Sequence, residues 1–266
     1  MRELAGRVAV VTGGGSGIGW GICRRLAQEG MQLAVADVDL PAAEKACAEL
    51  RERGARALPV HTDVSQRRSL EALLETVLRE LGDVHVVCNN AGVYTGGDPL
   101  ANSEGDWRWL VDVNLMGVVN GCQVFAPHLV AKGAGQIVNT ASVGGFLPAP
   151  ELDAYCATKF AVVAFSEALR TRLAPSGVGV SILCPGAIRT NLARSDRLRP
   201  ASAGAAGGSS KVLAPMIEEG ADPLEVGEFV LRGVRENAEY IFTHAEFRDW
   251  IEARFQRVLA AFPPRA

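Results

Sequence analysis

The sequence predicts an α/β protein built on one doubly wound parallel sheet of about seven strands, with helices covering both faces. Three observations predict it. Short apolar, β-branched runs alternate with helical patterns through the first ninety or so residues, the pattern of parallel strands joined by crossover helices. Those runs show little polar alternation, as strands buried on both faces do. Gly30, Gly54 and Gly82 each follow a predicted helix, where a left-handed residue closes the last turn and glycine takes that conformation without strain.

The elements follow in order. "RVAVV" is the first strand, before a helix over 18–29; "QLAVA" the second, before a helix over 42–53; "RALPV" the third, before a helix over 66–81; "VHVVC" the fourth. In the third helix Leu70, Leu73, Leu74, Val77, Leu78 and Leu81 fall at offsets of 3, 4, 7, 8 and 11, one stripe that must cover a sheet. A long helix is predicted over about 106–132, then strand "QIVNT", a helix from the Tyr155 region to about 174, and strand "VGVSIL". From 192 to 216 the sequence "LARSDRLRPASAGAAGGSSKVLAPM" is rich in Ala, Gly and Ser, a composition too poor in large apolar residues to hold itself rigid; it is expected to be a substrate lid or a disordered insert. A helix over about 223–237, strand "YIF" and an amphipathic helix carrying Phe247, Trp250, Ile251, Phe255, Val258 and Leu259 close the chain. Residues 240–266 are the expected oligomer contact. No Pro/Ser-rich linker divides the 266 residues, so one domain is expected.

Composition narrows the function. The chain is 48% hydrophobic and 21% charged with a formal net charge of -3, and it lacks the concentrated basic field that nucleic acid or an anionic membrane requires. A small-molecule substrate is the expected partner. "MRELAGRVAVVTGGG" has an apolar run soon broken by glycines, unlike a signal peptide or spanning helix, so a cytoplasmic location is expected. Cys23, Cys47, Cys88, Cys122, Cys156 and Cys184 include no CxxC pair and are expected to be buried free thiols. His61, His85, His128 and His244 share no helical ligand spacing, and no metal site is expected.

Two regions carry chemistry. "VAVVTGGGSGIGWGICRRLAQEG" is a strand, a glycine turn and a helix. Gly13, Gly17 and Gly19, with Ser16 and Ile18 in the same turn, would let the backbone approach a pyrophosphate at the positive end of a helix. The order is G-x-x-x-G-x-G and not the commoner G-x-G-x-x-G, so taken alone it is equally a tight strand-to-helix turn. Eighteen residues beyond Gly19, Asp37 ends the second strand. A carboxylate there would accept hydrogen bonds from ribose hydroxyls and repel a 2′-phosphate, favouring NAD over NADP; a strand-end turn would use it too. Ser16 and Val38 offer no cation for that phosphate. The second region is "DAYCATKF", with Tyr155 and Lys159 four residues apart on one helix face. Hydride transfer to or from a carbinol needs an acid/base group, and a phenol that ionises near pH 10 must be stabilised as phenolate by about 3 to 4 kcal/mol to serve near neutrality. A neighbouring ammonium can contribute, although that spacing also occurs on many solvated helix faces.

"TGGGSGIG", "CNNAGV", Asn114 in "VDVNLMG", Ser142 in "NTASVGG", "YCATK" and "CPGAIRTNL" occur in that order. Together, over residues 5–192, they resemble the short-chain dehydrogenase/reductase family in its compact, single-domain, Rossmann-like branch. The resemblance implies that Asp63 and Val64 lie along the adenine, that Asn90, Ala91 and Gly92 line the cofactor cleft, and that Pro185, Gly186, Ile188 and Thr190 hold the nicotinamide end. By themselves "NNAG" and "CPG" also suit a turn and a helix stop. It further implies that Tyr155 is the acid/base, that Lys159 lowers its pKa and binds the nicotinamide ribose, and that Ser142 holds the substrate oxygen. Asn114, a poor helix former within a helix, is expected to hold a water linking Lys159 to solvent, with a capping or packing role through local backbone bonds as the alternative.

Val143, Gly144, Phe146, Leu147, Leu152 and Leu192 would then line the substrate side with Ser142. That apolar set suits a lipophilic secondary alcohol, aromatic or alicyclic, better than a polyol. "SDRLRP" and "ENAEYIFTHAEFRDWIEARFQ" resemble bacterial dehydrogenases that oxidise benzylic or lipophilic carbinols. Arg194, Arg197 and Arg199 could reach an anionic substituent, but in a polar loop they are expected to be solvated. The expected function is reversible NAD-linked oxidation of such an alcohol to its ketone. Two alternatives share the fold: a regulator that senses NAD without chemistry, and a dehalogenase-like enzyme, which Asp37 and the glycine turn oppose. The resemblance also implies a homo-oligomer, tetramer or dimer, through the 106–132 and Tyr155 helices and the terminal segment.

Overall fold

Strands apolar on both faces need a layer of helices on each. The computed structural model describes residues 1, 3–96, 100, 102–204 and 213–263. In it β1 (Val8–Thr12), β2 (Gln32–Asp37), β3 (Ala57–His61), β4 (Val86–Asn89), β5 (Gly135–Thr140), β6 (Val178–Cys184) and β7 (Tyr240–Phe242) pair in parallel in the order β3-β2-β1-β4-β5-β6-β7. Val8, Val10, Ala34, Val87, Ile137 and Val180 pack into one layer with α3 (Arg67–Leu81), α5 (Gly117–Lys132) and α6 (Asp153–Leu173). Their neighbours Ala9, Val11, Leu33, Val35, Val86 and Val138 pack into the other with α1 (Gly17–Gln28), α2 (Leu40–Glu52) and α8 (Pro223–Glu236). The period-two alternation of a strand thus feeds two separate cores.

The caps agree with the sequence. Gly30, Gly54 and Gly82 have φ of 77°, 84° and 86°, and the Gly82 N–H donates to the Leu78 carbonyl at 3.1 Å. Asp39 caps α2, its carboxylate accepting from Ala42 N at 3.2 Å. All six cysteines are free and buried, as expected.

Two expectations need correction. The helix predicted over 106–132 is divided: α4 (Glu104–Leu110) passes through a π-helical turn, Val111–Met116, before α5. The segment 192–216 is more ordered than its composition implies, with 3₁₀ turns at Leu192–Leu198 and Ala201–Ala203 and the short helix α7 (Leu213–Glu218); residues 205–212 lie outside the described residues. Its polar side chains bury and bond, which a composition argument cannot foresee. The terminal helix α9 (Arg248–Ala260) has no buried residue, and Trp250, Leu259 and Phe262 are more than half exposed.

One contact sets the position of α8. A Cβ on Gly21 of α1 would lie 2.0 Å from the Pro223 carbonyl oxygen, and one on Gly227 of α8 would lie 2.4 Å from the Gly21 carbonyl oxygen. The two backbones therefore touch. Gly21→Ala is expected to destabilise the protein by about 1–3 kcal/mol through overpacking, read as a lower urea midpoint at unchanged slope. An unchanged midpoint would mean that α8 can slide away freely.

Candidate active site

The sheet order turns between β1 and β4: the chain runs outward to β2 and β3 on one side and to β5 on the other. Crossovers that diverge in this way leave a crevice beyond the carboxyl ends of the two strands. A cavity of about 850 Å³ occupies it. The Thr12 hydroxyl, at the end of β1, accepts hydrogen bonds from Asn90 N at 2.9 Å and Ala91 N at 3.1 Å. Asn90 Nδ2 donates back to the Thr12 carbonyl at 3.0 Å, so "NNAG" is a clasp between strands as well as a turn.

The glycine turn sits against this clasp. Gly13 has a φ of 63°, and a Cβ there would fall 2.9 Å from Ala91 Cα; Gly17 has a φ of 53° and presses on Thr190. Ser16 precedes α1 without capping it by its side chain, so backbone N–H groups of the first turn remain for an anion. Gly13, Ser16, Gly17 and Ile18 line the cavity, with Asn90, Ala91 and Gly92. Gly19 is different: a Cβ would lie 2.1 Å from the Gly13 carbonyl oxygen, and its part is to seat α1 against the turn, behind the lining.

Asp37, at the end of β2, is 9% exposed and lines the cavity. Its carboxylate accepts from Gly15 N at 2.9 Å and Asp39 N at 3.0 Å. Burial holds its pKa above the ordinary carboxylate value, with those backbone donors opposing. Asp63 and Val64 line the adjoining wall, and Pro185, Gly186, Ile188 and Thr190 the wall beyond β6. A glycine turn with unused N–H groups at one end of α1, a buried carboxylate at the next strand end and a long crevice between them fit a dinucleotide.

Polar side chains inside the fold aim α6 at this crevice. Asn89 Nδ2 donates to Asn139 Oδ1 at 2.9 Å and Asn139 Nδ2 to Ser166 Oγ at 2.9 Å, tying β4, β5 and α6 in a chain of nearly or fully buried groups. The N-terminal part of α6 presents Tyr155 and Lys159 to the cavity, opposite Ser142, which follows β5. Ser142 Oγ accepts from Gly144 N at 3.0 Å and is close enough to the Tyr155 phenol to lower its pKa. Lys159 Nζ donates to the Thr140 carbonyl at 2.9 Å and lies 5.5 Å from the centroid of the Tyr155 ring.

Burial dominates the electrostatics of this pair. Burial raises the Tyr155 phenol above its ordinary value, only partly opposed by Ser142, and pushes Lys159 down to about 8. Lys159 stands beside the ring, bound to Thr140, and desolvation outweighs its field at the hydroxyl.

Asn114, fully buried in the π-helical turn, accepts from Val93 N at 2.8 Å and donates to the Val93 carbonyl at 2.9 Å and Thr158 Oγ1 at 3.3 Å. Its carboxamide clamps the loop after β4, with both Nδ2 hydrogens engaged and one Oδ1 lone pair left to accept.

On the apolar side Val143, Gly144, Leu147, Leu152 and Leu192 line the cavity. Phe146 does not: its ring packs 5.9 Å from Tyr240 and 5.5 Å from Phe242. Leu198 and Met216, from the expected lid segment, line it, and so do Trp109, Ile217, Phe247 and Trp250, which the sequence does not point to. The only available signal was Gly186, where a Cβ would meet both His244 and Phe247 at 2.8 Å, so that only glycine admits the terminal segment. Arg199, expected in solvent, has a side chain 5% exposed that pairs with Asp106 at 2.7 Å and lies 5.3 Å from the Trp109 ring centroid. Arg197 pairs with Asp39 at 2.7 Å.

The family model for short chain dehydrogenases matches residues 7–200. C alpha-dehydrogenase of Sphingobium sp. (strain NBRC 103272 / SYK-6) is 34% identical over 271 residues, covering 99% of this chain and 89% of that protein. The oxidoreductase EphD of Mycobacterium tuberculosis is 40% identical over 183 residues, 68% of this chain. The match spans 31% of that longer protein. A crystal structure of a short chain dehydrogenase/reductase from Burkholderia phymatum in complex with NAD superposes with a TM-score of 0.94 at 36% identity, covering 100% of this chain and 99% of that one.

The buried lysine gives a pH test. Lys159 releases its proton at about 8 in the folded chain but near 10.4 when unfolded. Between those values the unfolded chain binds the extra proton, so this group's contribution makes stability rise with pH. Across that window the unfolding free energy of the wild type should gain on that of Lys159→Met by on the order of 3 kcal/mol. Parallel curves would show that Lys159 is not depressed.

Proposed function

Because the chain belongs to the short-chain dehydrogenase family, we propose that this oxidoreductase moves a hydride between NAD and a lipophilic secondary alcohol, interconverting the alcohol and its ketone. The observation that carries the reading is the meeting of the Ser142 and Tyr155 hydroxyls and the Lys159 ammonium in one crevice whose far end holds Asp37. NAD bound by the relative from Burkholderia phymatum supports the choice of cofactor, and the name of the Sphingobium relative supports dehydrogenation.

When bound, the nicotinamide supplies the hydride acceptor or donor. First-turn N–H groups after Ser16 hold its pyrophosphate, Asp37 accepts from the adenosine ribose hydroxyls, and Pro185, Gly186, Ile188 and Thr190 flank the reacting end. Ser142 Oγ holds the substrate oxygen. Tyr155 Oη takes the carbinol proton during oxidation and returns it during reduction. The phenol, raised by burial, becomes a base through the Lys159 charge together with the positive charge of the oxidised cofactor. Leu147, Leu152, Leu192, Trp109 and Phe247 support an apolar, ring-bearing substrate.

A regulator that only sensed NAD is less well supported. Burying Lys159 beside Tyr155 opposes stability, and simple binding has no use for that pair. A homo-oligomer belongs to the same reading: Tyr240 and Phe242 of edge strand β7 and the apolar residues of α9 are partly exposed on the surface, and burial against another copy would remove them from water.

Two results test this. In a panel of lipophilic alcohols followed by NADH absorbance, Tyr155→Phe should lower kcat by about 10²- to 10⁴-fold while NADH affinity stays within a few-fold; near-normal turnover would refute the acid/base role. NAD should be preferred over NADP in kcat/KM, and Asp37→Asn should reduce that preference by about ten-fold or more as the charge repelling a 2′-phosphate is lost. A wild-type preference for NADP would overturn the Asp37 argument.

A further inference from the structure

The 3₁₀ segment Leu192–Leu198 and the residue after it are held at three alternate positions of unequal character. Ser195, 4% exposed, accepts from Tyr94 N at 3.1 Å and donates to the Leu192 carbonyl at 2.7 Å. Arg199 is buried against Asp106 and also donates to the carbonyls of Ala203 at 2.7 Å and Gly204 at 2.9 Å. Between these anchors Arg197 reaches the opposite way, 158 residues back along the chain, to Asp39 at 2.7 Å. Asp39 stands two residues beyond Asp37 and caps α2. Arg197 lines the cavity that Asp37 also lines, so the pair bridges the rim at the carboxylate end.

The anchors differ in how readily they open. Breaking Arg199 from Asp106 would strand a buried charge, and Ser195 would strand a buried amide. Arg197 and Asp39 have side chains 39% and 27% exposed, so water and salt compete for them directly. The Arg197 side chain can therefore swing off Asp39 and unbridge the rim while the backbone stays rooted at Ser195 and Arg199.

We infer that the Arg197–Asp39 ion pair is a latch over the cofactor end of the cavity, and that Arg197 is a positioning residue governing how fast the reduced dinucleotide leaves. The inference rests on the reading above that the cavity holds a nicotinamide dinucleotide. Dinucleotide exchange requires the rim to open, and product release limits turnover in many enzymes. A solvent-exposed latch would make that step depend on salt.

The test is the dissociation rate of NADH from the full chain by stopped-flow fluorescence, for wild type, Asp39→Asn, Arg197→Gln and the double variant. Asparagine still caps α2, so Asp39→Asn removes the charge and keeps the helix start. Each single variant should release NADH about two- to five-fold faster at low salt, equivalent to about 0.4–1 kcal/mol. The double variant should be no faster than either. Raising NaCl from about 20 mM to about 500 mM should accelerate the wild type toward the variants and leave the variants unchanged, whereas Arg197→Lys should retain the salt response. Wild-type release rates in both single variants, or an equal salt response in all proteins, would overturn the latch with the cofactor reading intact. Wild type that binds no NADH would overturn both.

Discussion

One hydroxyl joins the two halves of the crevice. The ladder between β1 and β4 ends at Val11 and Cys88, and Thr12 lies one residue beyond it. There the crossovers part and sheet pairing can no longer hold the strand ends together. The Thr12 hydroxyl takes over from the ladder by accepting from two successive N–H groups after β4. Gly13 can then lie against Ala91, α1 can begin in contact with Thr190, and the Asn90 amide can close on the Thr12 carbonyl. The spacing of the crevice is thus set by short polar contacts at strand ends, where one added methylene would be felt.

The site is assembled from charged groups that burial penalises. Lys159 is buried with a depressed pKa, Asp37 with a raised one, and Arg199 and Asp106 form a desolvated pair. Replacing such pairs by apolar residues is often neutral or stabilising. Here the offset comes from partners fixed in advance: the Thr140 carbonyl for Lys159, two backbone N–H groups for Asp37, and two carbonyls with the Trp109 face for Arg199. The Asn89–Asn139–Ser166 chain does for a whole helix what those partners do for single charges. It selects one rotation and one height of α6 over the sheet, and those set the distance between Tyr155 and Ser142.

Much of this was legible in sequence because it is local. Helical stripes, left-handed glycine caps and the glycine turn before α1 are written within a dozen residues each, and Asp37 and Tyr155 with Lys159 are located by spacing from such marks. What escaped depends on long-range packing. Trp109 sits in a helix whose rotation is set by the π-helical turn, and Phe247 and Trp250 reach the cavity only because Gly186 leaves room for the terminal segment. Phe146 was assigned to the substrate side by its nearness to Ser142, yet the 3₁₀ turn at Val143–Gly145 directs its ring to Tyr240 and Phe242. Arg199 looked solvated because its neighbours are polar, and its carboxylate partner lies more than ninety residues earlier. The expectation of a lowered Tyr155 pKa weighed the charge four residues away but not the burial that accompanies it.

The six free thiols give the molecule an unintended property. Cys23, Cys47 and Cys88 belong to the core layer of α1 and α2, Cys122 and Cys184 to the layer of α5 and α6, and Cys156 packs near Ser142 in the turn beneath Tyr155. Burial raises the pKa of all of them, Cys88 and Cys122 to about 12. Since the thiolate is the reactive form, an alkylating reagent meets almost nothing in the closed protein and reacts only with what has opened. With reporters in both layers and one at the site, the order in which they are alkylated would trace the order in which the structure comes apart, with no label added to the chain.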